Sequence, residues 1–283
     1  LSEIIPRLLH QPDIRILPLT QIEVDRATTE RVQAWIDRLV AEAPIEVSIV
    51  GDIEREAAIE LARRYFGALP PRNRVAPNLF ADLRTLRRAE APFEARADID
   101  SVAPQAIVLV GCIGADDERA RESRILDVAA SILAMRLDER LREREAIVSA
   151  VGVKHRPGVA YDETGLLMAW APVDPARAED VAAAVQRTFE EFSVEGPTPA
   201  EVEIARAQLA TRAGEMLQDP QHWAAQLATV TYRGEDINRI AGAAAEYLSF
   251  TREEVRSAMR RHYAPSSSIR VIVAPAPDAP PMN

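Results

Sequence analysis

The spacing of apolar residues divides the chain into segments of helical and of strand periodicity. The longest helical segment is Asp117–Glu145, in which apolar residues recur every three or four positions along one face. Strands are predicted on both sides of it, at Gln105–Gly114, Ile147–Lys154 and Tyr161–Ala171. The run Leu141–Ser149 therefore leads from the end of a helix into a strand, at the rim of a sheet that a ligand can reach.

The remaining segments also alternate between amphipathic helices and short strands. Thr198 is a suitable N-cap, and Glu201 three residues later can complete a capping box with it. The further predicted helices are Thr28–Ala43, Ile53–Phe66, Asp174–Phe192, Pro199–Gln218, Pro220–Val230, Ile237–Leu248 and Thr251–His262. The further predicted strands are Ile45–Gly51, Phe93–Ile99 and Ser268–Ala274.

One helix–strand pattern occurs twice in the chain. Thr28–Val32 opens a helix that leads to the apolar run Ile45–Val50, and Thr251–Val255 opens a helix that leads to Ile269–Val273. Each copy has the form of the helix and strand that close an α/β lobe, and such self-similarity indicates a repeated unit. We therefore expect the end of one lobe followed by a complete second lobe.

The polar stretch between the two copies sets the expected domain boundaries. Residues 70–92 are rich in proline and arginine and have no sustained apolar period, which is typical of a linker. The sequence thus predicts the end of a first lobe at 1–69, a linker at 70–92, a complete lobe at 93–275 and a disordered tail at 276–283.

Composition narrows the possible classes of partner. The chain of 283 residues is 47% hydrophobic and 28% charged, which is enough apolar material for a sizeable core. A net charge of -10 argues against binding to nucleic acid, and no apolar run approaches the roughly 18 residues of a membrane span. The single cysteine, Cys112, excludes an intrachain disulfide and fits a core position better than a reactive thiol.

The four histidines do not form a metal-binding pattern. His10, His155, His222 and His262 are scattered, and none is followed at helical spacing by a second histidine. His155 falls in a predicted loop, where a solvated turn is a better interpretation than a metal ligand. The sequence therefore predicts no metal site in this chain.

The other motif-like segments have structural explanations. Gly111–Gly114 lacks the third glycine of a dinucleotide fingerprint and the lysine of a P-loop, so close backbone packing is the simpler interpretation. The acids of Asp116–Glu118 fit a helix N-terminus, and the alternating charges of Arg136–Glu145 fit a solvated helix face. The residues alone thus indicate an α/β protein without a catalytic centre of its own.

Several segments, in the right order, resemble the zinc metallopeptidases of the insulinase/pitrilysin family, peptidase family M16. Val47–Asp52 and Arg64–Pro70 resemble the end of one family lobe, whereas Leu141–Glu143 and Thr251–Pro275 resemble parts of the next. The resemblance implies an α+β fold of two-layer lobes, in which a mixed or antiparallel sheet is covered by helices on one face. It also implies that a complete lobe is preceded here by the end of a similar one.

The resemblance further implies where the chemistry of such an enzyme lies. An active lobe of the family carries a His-x-x-Glu-His zinc motif, which these residues lack, so zinc is expected in an upstream or partner lobe and no cofactor in this chain. The opposing lobe of active members holds substrate with an arginine and, seven positions later, a tyrosine. The matching positions are Arg142 and Ser149.

Both positions leave an alternative open. Serine is too short to place its hydroxyl where a tyrosine phenol would reach, which weakens the case for oxyanion stabilisation, and no spacing shows that Tyr161 replaces it. Arg142 has acids such as Glu139 and Glu145 nearby, so an ion pair is as good an explanation as contact with substrate.

Two hypotheses follow from the resemblance. In the first, the chain is the non-catalytic C-terminal half of an M16-like zinc metalloendopeptidase and forms a wall of the peptide-binding chamber, with Arg142 and Ser149 as substrate-binding residues. Its partners would be a catalytic M16 lobe, in the same chain or in another subunit, and an extended peptide added to a sheet edge. In the second, which Ser149 favours, the chain is a structural or assembly subunit that binds no peptide.

Overall fold

The chain consists of two compact units. The computed structural model describes residues 9, 13, 15–17, 19–72, 81–87, 91–99 and 104–276. Unit 1 comprises Leu1–Leu17, Arg84–Ala210 and Ala245–Asn283, and unit 2 comprises Pro18–Leu83 and Thr211–Ala244. The predicted tail, apart from position 276, lies outside the described residues, as do His10 and positions 73–80 and 88–90 of the predicted linker.

The described elements are short strands and mostly amphipathic helices. The strands are β1 (Phe93–Ile99), β2 (Ala106–Ile113), β3 (Gly152–Arg156), β4 (Leu166–Val173) and β5 (Ile269–Pro275). The helices are α1 (Gln21–Asp25), α2 (Thr29–Glu42), α3 (Arg55–Phe66), α4 (Ala120–Leu137), α5 (Ala178–Glu195), α6 (Pro199–Met216), α7 (Pro220–Leu227), α8 (Val230–Arg233), α9 (Ile237–Ala241), α10 (Ala243–Ser249) and α11 (Arg252–His262). A π-helix, Asp138–Arg144, continues directly from α4.

Unit 1 is built on a five-stranded mixed sheet with the strand order β1-β5-β2-β4-β3. β1 and β5 are parallel, and the other neighbouring pairs are antiparallel. β2 lies in the centre because almost all of its residues are apolar, so both of its faces can be buried. Among the described strands, β1 and β3 form the two edges of the sheet.

Helices cover one face of this sheet. α4 packs against β3 and β4, α5 packs against β2, and α11 packs against both of these helices. Alternate residues of β2 point to the helical layer and are at most 1% exposed: Ala106, Val108, Val110 and Cys112. Burial of this interface between sheet and helices is the main source of stability in unit 1.

The opposite face of the sheet is apolar near its centre. Leu109, Met168 and Val271 form a buried cluster there with Leu9 from the N-terminal segment. The apolar character ends at β3, whose residues on this face are Gly152, Lys154 and Arg156, as the pairing with β4 shows. This face therefore changes from apolar to cationic toward the β3 edge.

The fold class predicted from the resemblance is confirmed, because helices and a mixed sheet form a two-layer α+β unit. Most of the predicted elements agree with the described ones within a few residues. The strand starts predicted at Ile147 and Tyr161 are wrong, since β3 begins at Gly152 and β4 at Leu166. Ile147–Val151 is apolar enough to suggest a strand, whereas Tyr161–Gly165 is polar, and neither segment is paired with a neighbour in the described part of the sheet.

The strand predicted at Ile45–Gly51 is also wrong. These residues have no strand assignment, and Ile45, Val47 and Ile49 remain 42–45% exposed. A strand requires a hydrogen-bonded partner, and none of the described strands pairs with this segment. The periodicity was suitable for a strand, but periodicity alone does not supply the neighbouring strand.

Unit 2 has exposed apolar surface on its helices. Thr28 is the N-cap of α2, and its hydroxyl accepts a hydrogen bond from the backbone N–H of Arg31. α2 carries its apolar residues on one face, yet no residue of α2 is buried and Trp35 is 60% exposed. The related helix of unit 1, α11, buries Val255 and Met259 completely. The predicted domain boundaries at 69, 92 and 275 stay a prediction.

An ion pair ties α4 to the start of α6 within unit 1. Arg136 donates from Nε and Nη2 to the two carboxylate oxygens of Glu201, at 2.6 and 2.9 Å, and its guanidinium lies over the ring of Phe192. The backbone N–H of Thr198 also donates to Glu201, which confirms the predicted capping box. Burial raises the pKa of Glu201, but hydrogen bonds from Arg136 and Thr198 outweigh it and lower the pKa to about 2.

We expect the substitution Glu201→Gln to destabilise the protein by about 2 kcal/mol at neutral pH. A lowered carboxyl pKa contributes stability above the unfolded-state pKa of 4.5, and this contribution falls as the pH drops toward about 2. The difference in unfolding free energy between wild type and variant should therefore shrink between about pH 5 and pH 2. Denaturant unfolding at several pH values measures it.

Glu203→Gln is the matched control, because Glu203 lies on the same helix, is 64% exposed and, among the described residues, pairs with Arg206 three positions later. It should change the unfolding free energy by less than about 0.5 kcal/mol. Equal effects of the two substitutions, or an effect of Glu201→Gln that does not vary with pH, would contradict this account of the ion pair.

Candidate functional site

The helix that contains Arg142 ends in a π-helix. The backbone N–H of Glu145 donates to the carbonyl of Arg140, five residues earlier, and Ile147 donates to Leu141. Ala146 then takes a left-handed conformation, with φ of 49°, which costs energy for a residue other than glycine. π-helices and strained residues occur often at functional sites, so this junction is a reasonable place for a site.

Arg142 is exposed and has acidic partners on its own helix. Its Nε and Nη2 donate to the carboxylate of Asp138 at 2.5 and 2.6 Å, and Nη2 also lies 3.2 Å from Glu143. The hydrogen bond from Arg142 lowers the pKa of Asp138, and the same contact raises the pKa of Arg142. The sequence anticipated an ion pair with a nearby acid, but the partners are Asp138 and Glu143 in place of Glu139 or Glu145.

Ser149 lies in an exposed bend between the π-helix and β3. Tyr161 lies in the loop that follows β3, where its ring contacts the guanidinium of Arg15. β3 spans Gly152–Arg156 between these two residues, which puts about 13 Å of extended chain between its ends. Tyr161 is therefore at the other end of the strand from Ser149 and does not take the place of the missing tyrosine.

The interpretation of His155 as part of a solvated turn is wrong. His155 lies in β3, is 3% exposed and points to the helical layer. Its Nε2 lies 3.1 Å from the carbonyl oxygen of Ala115, and its Nδ1 lies 3.5 Å from both Ser123 and Asp127. His155-Arg156-Pro157-Gly158 has the composition of a turn, which explains the error. In the structure the His155 ring makes polar contacts that join the edge strand to α4.

The structure also identifies a residue that sequence analysis missed, Trp170. It lies on β4 directly opposite Gly152, on the face of the sheet away from the helices, and is 45% exposed. A Cβ atom added to Gly152 would lie 2.6 Å from the indole Nε1, so the ring rests against the glycine backbone. A tryptophan on a predicted strand was visible in the sequence, but the pairing with a glycine was not.

Zinc does not fit the part of the chain that the structure describes. Among those residues, no group of three or more His, Cys, Asp or Glu side chains could hold a metal ion. His262 contacts the Ile113 carbonyl and Glu122 at 3.0 and 2.9 Å, so its two nitrogens already have partners within the fold. The same segments contain no helix that is both long and apolar enough to cross a membrane.

Cys112 occupies the centre of the sheet, as expected for a core residue. It is completely buried on the helical side of β2, and burial raises the pKa of its thiol to about 12. Since the thiolate is the reactive form, the position excludes Cys112 from nucleophilic chemistry in the folded protein.

Comparison with known proteins identifies the family. The model of the peptidase M16 inactive domain matches residues 26–209. Because the match covers more than half of the chain, this protein belongs to that family, as the resemblance indicated. The comparison with curated proteins gives no match.

Solved structures support the same fold. The peptidase M16 inactive domain from Pseudomonas fluorescens is 19% identical with a TM-score of 0.76, over 99% of this chain and 66% of that one. The ferredoxin protease FusC, solved with Arabidopsis ferredoxin, is 16% identical with a TM-score of 0.72, over 97% of this chain and 29% of its own. A chain of complex III from Candida albicans is 15% identical with a TM-score of 0.69, over 94% and 64% of the two chains. At these identities the likeness shows the fold alone, and the chain spans less than two thirds of each neighbour.

We expect the Cys112 thiol to resist modification in the native protein. Its burial and raised pKa leave almost no accessible thiolate at neutral pH. A chromogenic disulfide reagent should therefore label the native protein at least about a hundredfold more slowly than the protein in denaturant. Native labelling at the rate of an unfolded thiol would contradict the core position of Cys112.

Proposed function

We propose that this chain is a non-catalytic half of an M16 zinc peptidase and forms a wall of its peptide-binding chamber. The zinc and the general base would come from a catalytic M16 lobe, either upstream in the same polypeptide or in a separate subunit. The observation that carries this proposal is the match of residues 26–209 to the inactive domain of the M16 family.

Arg142 is the residue that we propose to contact the peptide. Its side chain is 45% exposed at the end of a helix, and its guanidinium has five N–H donors, of which the contacts with Asp138 and Glu143 use only some. The remaining donors suit carbonyl oxygens of an extended chain. Asp138 would then act as a positioning residue that restricts the rotamers of Arg142, because its carboxylate contacts both Nε and Nη2.

Ser149 would line the same wall without stabilising an oxyanion. Its hydroxyl is exposed next to β3 and can donate one hydrogen bond, but it is several ångströms shorter than a tyrosine phenol. A chamber wall with a serine here would bind peptide without assisting hydrolysis. This assignment agrees with a non-catalytic role for the chain.

The edge strand β3 offers a mode of peptide binding. β3 begins three residues after Ser149 and is the last strand of the sheet on that side among the described strands. A sheet edge presents unpaired backbone N–H and carbonyl groups that an extended peptide can pair with. A peptide bound in this way would pass the Arg142–Ser149 junction as an added strand.

We further propose that the part of the predicted first lobe that belongs to unit 2, positions 19–69, closes a lobe whose sheet comes from another segment. The support is the contrast between the two copies of the repeated pattern. Val271 and Val273 are at most 2% exposed between their neighbouring strands, whereas Val47 and Ile49 are more than 40% exposed. The exposed apolar side chains of α2 and of Ile45–Gly51 would be buried if a further sheet were supplied.

The alternative function is that of a structural or assembly subunit with no substrate. Two observations favour it. The acids Asp138 and Glu143 occupy some of the N–H donors of Arg142, and position 149 is a serine. One of the similar structures is a chain of complex III. Under this alternative, Arg142 serves only to stabilise the π-helix, and the sheet edge does not bind peptide.

The first function predicts that the chain binds unstructured peptides and that Arg142→Ala weakens this binding about fivefold, since a charge-assisted contact is lost at a partly exposed site. Ser149→Tyr should strengthen binding about twofold, because a phenol adds contact area and a longer donor. Fluorescence anisotropy with labelled peptides measures both effects.

Arg144→Ala is the matched control, because Arg144 lies on the same π-helix, is more exposed than Arg142 and pairs with Glu139. It should leave the affinity unchanged. If neither Arg142→Ala nor Ser149→Tyr changes binding, the alternative function is favoured. Peptide cleavage by the zinc-treated chain that a chelator abolishes would contradict a non-catalytic role.

A further inference from the structure

The edge strand β3 has an unusual combination of side chains on the face that points away from the helices. Gly152, Lys154 and Arg156 lie on this face, because they pair with Trp170, Met168 and Leu166 of β4. Successive residues on one face of a strand are about 6.8 Å apart. The edge thus presents a tryptophan ring over a glycine, then an ammonium group, then a guanidinium group, at regular spacing.

Trp170 is exposed because of its position relative to the edge. On one side it faces Leu109 of the central strand, which is 3% exposed, and on the other side it faces Gly152, which has no side chain to cover it. The indole rests against the Gly152 backbone and leaves an aromatic surface open next to the sheet edge. Tryptophan is highly buried on average, and an exposed indole offers a flat apolar surface together with one N–H donor.

Lys154 and Arg156 are two cations without acidic partners in the described part of the chain. Both side chains are exposed, and neither makes a hydrogen bond or ion pair with a described residue. This is notable in a chain with a net charge of -10, in which many arginines are paired with acids. Lys154 is also the only lysine in the sequence.

We propose that this edge selects extended peptides that carry one apolar side chain and acidic side chains two and four residues away from it. The proposal rests on the proposed function, and it names the class of peptide that the chamber wall would accept. The apolar side chain would lie against the exposed part of the Trp170 ring, next to Gly152. The two carboxylates would lie beside Lys154 and Arg156.

The match follows from the geometry of strand addition. Residues of an added strand alternate between the two faces of the sheet, so every second side chain lies on the face of Gly152, Lys154 and Arg156. Opposite charges directly across neighbouring strands stabilise the pairing, and like charges destabilise it. A peptide with the pattern apolar-x-acid-x-acid, or its reverse for the opposite strand direction, satisfies all three positions in one register.

A second explanation for the cations is protection of the edge. Charged residues on edge strands, lysine in particular, prevent unwanted pairing with other chains, and an aromatic ring over a glycine stabilises a sheet without any ligand. This explanation predicts that replacing Lys154 increases self-association and has no effect on peptide selection. The two explanations therefore differ in their expected results.

The test compares two labelled peptides of equal length, one with the apolar-x-Glu-x-Glu pattern and one with glutamine at both acidic positions. The 283-residue chain should bind the acidic peptide about tenfold more tightly. Lys154→Glu should reduce this preference about fivefold, and Trp170→Ala should weaken both peptides to a similar extent. Lys154→Arg, which keeps the charge, should bind like the wild type.

Carbodiimide coupling locates the bound peptide, because it joins a carboxylate to a nearby amine without a spacer. The acidic peptide should become attached to Lys154, the one lysine side chain, and mass spectrometry of the digested product identifies that residue. Lys154→Arg should lose this attachment while it retains the affinity. Circular dichroism checks that the sheet of the Trp170→Ala variant is intact. If Trp170→Ala fails to fold, the comparison of Lys154→Arg with the wild type still tests the proposal.

The outcomes separate this inference from the proposed function. Preference for the acidic peptide together with coupling to Lys154 supports it. Binding of both peptides with equal affinity, or coupling only at the N-terminal amine, overturns this inference and leaves the chamber-wall function standing. Absence of binding to either peptide overturns both.

Discussion

The close approach of β4 to β2 at Gly111 is the contact on which the arrangement of unit 1 depends. A Cβ atom at this position would lie 2.0 Å from the carbonyl oxygen of Leu167, so only glycine allows the two strands to pair in the observed register. That register sets Trp170 opposite Leu109, and the separate pairing of β3 with β4 sets Gly152 opposite Trp170. The position of the Trp170 ring therefore depends on both pairings, one in the centre of the sheet and one at its edge.

The edge strand is held on its other face by a buried histidine. The His155 ring lies against Gly114 and has polar neighbours in Ala115, Ser123 and Asp127, while Asp127 also accepts a hydrogen bond from Tyr247 at 2.7 Å. A buried polar ring with partners on both nitrogens fixes the position of the strand that carries it. β3 therefore presents its outer face on a rigid base, which suits a binding edge better than a mobile loop would.

Periodicity was sufficient to predict the elements whose partners are contained in the chain. The central strand, the long helix, the Thr198 cap and the closing helix–strand pair were all recognisable, because each buries one regular face or satisfies a capping box. Ile45–Gly51 shows the limit of this reasoning, since the residues have strand periodicity but no described strand pairs with them. His155 shows another, because a turn-like composition concealed a buried contact that only the fold creates.

The candidate site was predictable only in part. Arg142 and Ser149 were found through the family resemblance. Arg142 pairs with Asp138 four residues earlier, and the sequence alone could not rank this acid above the other acids near Arg142. The sequence could not show that Trp170, Lys154 and Arg156 lie side by side on one face of the sheet, because their placement depends on the register between β3 and β4. The binding edge is therefore a property of the folded sheet and not of any one motif.

The central claim is that β3 binds an extended peptide without cleaving it. Hydrogen exchange measured by mass spectrometry tests this most directly, because one experiment reports both backbone protection and the mass of the peptide. The account predicts slower exchange in Gly152–Arg156 when peptide is added, together with a peptide of unchanged mass. Unchanged exchange in β3 at saturating peptide, or the appearance of shorter peptide products, would contradict it.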